Sequence, residues 1–148
     1  MKRLLLAMSF VLSAIVSSSA QDFPFGQFTA EEMNMKNYKN DTSAHAVVLN
    51  EFGKSSINIG GDDNLKQIYE YHVKIKIFDP KAFDKGTVKV LLYSNDKNEA
   101  YEDISEIKAV TYYKDDNGFT QKAELENKKI YPVKENKYWA SANFALPG

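Results

Sequence analysis

Lys66-Gln67-Ile68-Tyr69-Glu70-Tyr71-His72-Val73-Lys74-Ile75-Lys76-Ile77-Phe78 alternates between apolar and polar residues for most of its length. Successive side chains of a strand point to opposite faces. Tyr69, Tyr71, Val73, Ile75 and Ile77 therefore share one face, and Glu70, His72, Lys74 and Lys76 share the other. This pattern predicts a half-buried strand with the five apolar residues as its core face. Asp79-Pro80 ends it, and Lys81 to Lys85 reads as one irregular helical turn.

Downstream the same logic recurs. Gly86 to Tyr93 predicts a strand with Val88, Val90 and Leu92 inward, and a polar loop follows from Ser94 to Tyr101. Ile104 to Tyr113 and Phe119 to Leu125 flank Lys114-Asp115-Asp116-Asn117-Gly118. Asn-Gly between two strand-like runs is a strong hairpin signal. Lys129 to Val133 and Tyr138 to Leu146 complete the series, with Trp139 expected as a core anchor. Upstream, Ala44 to Leu49 is a compact apolar run favouring a strand, Ser56 to Ile59 alternates weakly, and Gly60 to Asn64 signals a turn. Before these, Thr29 is a good N-cap and Glu32 stands at the capping-box spacing, so a short helix is expected at Phe28 to Met33. Phe28 and Met33 occupy the positions of a hydrophobic staple. Many short strands at regular turn spacing predict a mainly β, antiparallel β-sandwich-like module with a short N-terminal helix.

The first twenty residues read differently. Met1-Lys2-Arg3 is a basic head, Leu4 to Val16 is apolar, and Ser17 to Ala20 is a run of small residues. That is the pattern of a secretory signal peptide, with cleavage expected between Ala20 and Gln21. The apolar stretch is short for a bilayer span and no basic stop-transfer cluster follows, so no stable membrane insertion is expected after cleavage. The organisation predicted is a leader at 1–20 and a single β-rich domain at 21–148, exported to the periplasm or beyond.

Removing the leader leaves 17 Lys+Arg against 20 Asp+Glu, a net of −3, and no arginine, since Arg3 is the only one. Arginine is the preferred residue for bidentate recognition of phosphate, so nucleic acid is not an expected partner. There is no cysteine, which excludes a disulfide framework, a thiolate metal site and a cysteine nucleophile within this chain. His45 and His72 are the only histidines and no third ligand accompanies them in a metal-binding spacing, so no metal or cofactor is expected. His72 reads as a solvated surface residue and His45 as a hydrogen-bonded core or boundary residue. Glu31-Glu32 suits the first turn of a helix, and Asp62-Asp63 and Asp115-Asp116 suit turns. Asn40-Asp41-Thr42 is a formal glycosylation sequon. No nucleophile elbow, phosphate loop or dinucleotide fingerprint is present. Catalytic residues are therefore assigned to none of these positions.

Several segments in order resemble a known family: Phe28 to Met33, Tyr38, Asp41 to Leu49, Phe52-Gly53, Tyr69 to Ile77, Ile107 to Tyr112, Lys137-Tyr138-Trp139 and Phe144 to Gly148. They resemble the N-terminal domain of unknown function 3857 (DUF3857) family of exported Bacteroidetes-type proteins. The resemblance covers nearly all of the chain after the leader, and none of its motifs is catalytic. It implies an extracytoplasmic module that precedes a transglutaminase-like domain with a Cys-His-Asp triad. It also implies that the chain continues into further strands, so a fragment is expected. The function implied is non-enzymatic placement or binding beside that catalytic domain. The rival is a free-standing glycan- or peptide-binding β-sandwich, which exposed, coplanar aromatic rings in a groove would favour.

Overall fold

The computed structural model describes residues 22–59, 65–94 and 102–147. The leader, the expected cleavage site at Ala20 and Gln21, the turn at Gly60 to Asn64 and most of the loop after Ser94 lie outside the described residues. Within them the protein is mainly β, as expected, with a short helix α1 (Ala30–Asn34) and strands β1 (Ala46–Ile59), β2 (Leu65–Ile77), β3 (Thr87–Tyr93), β4 (Val110–Lys114), β5 (Thr120–Glu124), β6 (Tyr131–Lys134) and β7 (Trp139–Ala145). Among the described residues the strands pair into three small sheets: β1-β2, β3-β7-β6 and β4-β5. The chain divides into two compact units, one built on Val48–Lys74 with residues 22–25, the other on Gly26–Val47 and Ile75–Gly148.

In the first unit, β1 runs unbroken where sequence suggested two pieces. Gly53 lies inside it, and a Cβ there would stand 3.2 Å from Tyr69 Oη, so the tyrosine ring rests over the bare glycine backbone. The pairing side chains are polar: Gln67 Nε2 donates to Ser55 Oγ at 2.8 Å and Tyr71 Oη donates to Glu51 Oε1 at 2.7 Å.

This hairpin corrects the expected core face. Tyr69, Tyr71 and Val73 are 68%, 51% and 40% exposed. His72 and Lys74, from the supposed solvent face, are half-buried instead. The physical reason is a segment distant in sequence. Asp22 and Phe23 lie along the His72 side, where Asp22 Oδ1 meets His72 Nδ1 at 2.7 Å and Lys74 Nζ sits 5.5 Å from the centre of the Phe23 ring. Phe52 adds a ring 5.9 Å from His72. Alternation placed the residues on faces correctly; an adjacent segment decided which face is covered. Ile75 and Ile77, which belong to the second unit, are half-buried.

In the second unit, α1 carries the complete capping box, with Glu32 N–H donating to Thr29 Oγ1 and Thr29 N–H donating to Glu32 Oε2. Phe28 packs on Tyr112 with ring centres 4.5 Å apart. Two lysines meet the other end of the helix: Lys76 Nζ donates to the Met33 carbonyl and Lys114 Nζ to Asn34 Oδ1. They occupy the end where helical carbonyls lack partners and positive charge is favoured. Desolvation, then the neighbouring Lys114, lower the pKa of Lys76 below its ordinary value.

The β4-β5 hairpin is the expected one, closed by Asp115 to Phe119. Gly118 takes φ +82°, a left-handed conformation that glycine adopts without strain. Asp115 Oδ1 accepts from the N–H groups of Asn117 and Phe119, and Oδ2 accepts from Gln121 Nε2. Residues 104–109, expected as strand, are irregular.

The buried residues gather around the β3-β7-β6 sheet. β7 is its centre, so both its edges are paired. Ala142 and Phe144 are each 8% exposed, on the face that also carries Val88, Val90 and Leu92. Burying a phenylalanine side chain contributes about 2 kcal/mol.

Candidate binding face

The opposite face of this sheet is the best-built candidate site among the described residues. Period two sends Trp139, Ser141 and Asn143 to one side of β7 and Ala140, Ala142 and Phe144 to the other. Antiparallel register brings Tyr93, Leu91 and Lys89 of β3 opposite Trp139, Ser141 and Asn143. On the other flank Val133 faces Ser141 and Tyr131 faces Asn143. Glu135, just past β6, is tied to β7 by its N–H bond to the Trp139 carbonyl at 3.0 Å.

Trp139 is therefore not the core anchor that its bulk suggested. It is 41% exposed and stands edge-on to Tyr93, with ring centres 5.7 Å apart. Its parity with Ser141 and Asn143 was legible in Trp139-Ala140-Ser141-Ala142-Asn143-Phe144. Tyr131, Leu91 and Val133 are also exposed.

Between these apolar groups lies a polar network. Lys89 Nζ reaches Glu135 Oε1 at 2.7 Å, and Ser141 Oγ donates to the same oxygen at 2.6 Å. Asn143 Nδ2 donates to Ser141 Oγ at 2.9 Å. The Lys89–Glu135 pair spans from β3 to the end of β6 across the central strand. It leaves Ser141 only 1% exposed. The bond from Lys89, then that from Ser141, hold the Glu135 carboxyl below its ordinary value. A serine this covered, donating its proton to a carboxylate, is placed to hold Glu135 rather than to attack a substrate.

The remaining candidates are clasps. His45 Nδ1 meets Asp79 Oδ2 at 2.6 Å, and Asp79 Oδ1 caps the 3-10 helix Pro80–Gly86 through the Lys81 N–H. With the Phe78 N–H bonded to the His45 carbonyl, this pair ties the entry of β1 to the exit of β2. The capping N–H of Lys81, then His45, lower the pKa of Asp79. His72 has a side chain 40% exposed, in line with the surface position expected, and Asp22, Phe23 and Phe52 stand beside it. No group of three or more His, Asp or Glu among the described residues is arranged to hold a metal ion. Tyr69 and Tyr71 form a second exposed aromatic feature, with ring centres 6.5 Å apart and planes 12° from parallel.

Compared with protein-family models, curated proteins and solved structures, the chain matches none.

Proposed function

We propose that this is an exported, non-enzymatic β-rich module with a placement or binding role, an accessory to a transglutaminase-like domain in longer proteins. The leader pattern and the resemblance described above support the export and accessory parts of the reading. The observation that carries the binding part is the outward display of rings: Trp139 and Tyr131 on one sheet, Tyr69 and Tyr71 on another. Exposed aromatic side chains of this size are expensive to leave in water and are enriched where proteins bind.

The same display favours a second reading, a free-standing glycan- or peptide-binding module, because Tyr69 and Tyr71 are both exposed and nearly parallel. A blot of the source cells with an antibody raised against residues 22–147 separates the two. A band well above 16.8 kDa supports the accessory reading, and one slightly below it supports the free-standing module and overturns the accessory one.

A further inference from the structure

We propose that the Trp139–Ser141–Asn143 face of the β3-β7-β6 sheet binds a neutral polysaccharide chain. This rests on the binding role proposed above and names its ligand class and its residues. A pyranose ring has apolar C–H faces and a rim of hydroxyls, so its site needs flat apolar surface beside fixed hydrogen-bonding groups. This face supplies both. Trp139 and Tyr131 offer exposed rings, and Glu135, Asn143 and Lys89 stand between and beside them.

The polar groups are already oriented. The side-chain bonds from Lys89 and Ser141 both go to Glu135 Oε1, leaving Oε2 facing no partner among the described residues. Asn143 is fixed through Nδ2, leaving Oδ1 to accept. Groups held this way lose little side-chain freedom on binding, which lowers the cost of association.

Charge selects the ligand. Lys89 and Glu135 offset one another on the face, and residues 21–148 carry a net charge of −3, which disfavours an acidic ligand. An apolar protein surface docked here would strip water from a half-exposed ion pair and return no hydrogen bond. Hydroxyls of a glycan take over those bonds. Size favours a chain over a single sugar. Trp139 lies four residues along β7 from Asn143, the partner of Tyr131. At ~3.3 Å per residue and ~4.8 Å between strands, the backbone positions that carry the two rings lie about 14 Å apart.

The test is affinity electrophoresis of the full chain through gels containing laminarin, galactomannan, xyloglucan or hydroxyethylcellulose. Polygalacturonate serves as the acidic comparator, and an immobilised peptide library is probed in parallel. Retardation by at least one neutral polysaccharide is expected. Trp139→Ala and Tyr131→Ala should each weaken it by about tenfold. Glu135→Gln should weaken it while circular dichroism stays unchanged, and Tyr69→Ala should leave it intact. No retardation by any neutral polysaccharide overturns the inference, as does stronger retardation by polygalacturonate, or retardation that survives both ring deletions. Peptide capture without glycan retardation sinks the glycan site but leaves the binding role standing; neither kind of binding sinks both.

Discussion

The β1-β2 hairpin and the β3-β7-β6 sheet use the same alternation and reach opposite results. β2 has the cleaner pattern, yet none of its residues is buried. β7, with small and polar residues at several positions, buries Ser141, Ala142 and Phe144. The difference is the number of neighbours. β7 is paired on both edges, while β2 is paired with β1 alone. A two-stranded ribbon has too little width to shield a face, and isolated hairpins are marginal in water. Periodicity states which side chains travel together; only neighbouring strands or segments make that face a core.

The strongest way to break this comparison is Phe144→Ala. The ring is 8% exposed on the central strand of the three-stranded sheet, and its removal should cost about 3 kcal/mol, read as a lower urea midpoint. A loss below about 1 kcal/mol would mean that β7 is no better packed than β2.

Acid comes next. Glu135 and Asp115 are both held below their ordinary values of 4.5 and 3.8, Glu135 chiefly by Lys89 and Asp115 chiefly by Gln121. In that window the folded chain binds fewer protons than the unfolded one. Their stabilisation is complete above the ordinary values and is lost as pH falls through the lowered ones. Titration from pH 5 to pH 2 should therefore loosen the three-stranded sheet and the β4-β5 turn together. Glu135→Gln should remove the sheet's share of that pH dependence. If the variant keeps the full dependence, the Lys89–Glu135 contact does not persist in solution.

A smaller effect is expected at the helix. Thr29→Ala removes half of the capping box and should cost about 1 kcal/mol, seen as faster amide exchange at Glu32 and Met33. Most of the hairpin, Tyr71 included, lies in the other unit, so exchange at Tyr71 should not follow. If it does, the two units unfold as one.

Local chemistry was the legible part of this chain. Thr29 with Glu32, Asn117-Gly118 and Asp79-Pro80 each act within a few residues, and the cap, the turn and the strand end all fall where those residues predict. Strand facing was legible too, including the parity that puts Trp139 beside Ser141. Burial was not, because it depends on Phe23 meeting Lys74 and on β7 lying between β3 and β6, contacts distant in sequence. The polar network was hidden for the same reason. Lys89, Glu135 and Ser141 carry no motif, and only the antiparallel register brings them together.

Tyr69→Ala should have the least effect, and it sharpens the comparison most. A ring 68% exposed contributes little burial, and surface substitutions usually change stability by no more than about 0.5 kcal/mol. Its contact over Gly53 adds a little, since an aromatic ring across a glycine shelters bare backbone. The change should therefore be small beside that of Phe144→Ala in the same urea assay. A cost equal to that of Phe144→Ala would require the tyrosine face to be covered in solution by something the hairpin itself does not supply. Repeating the measurement across a range of protein concentrations identifies that cover. A cost that grows with concentration places a second copy of the chain against Tyr69 and Tyr71, whereas a small, concentration-independent cost leaves the rings open to solvent.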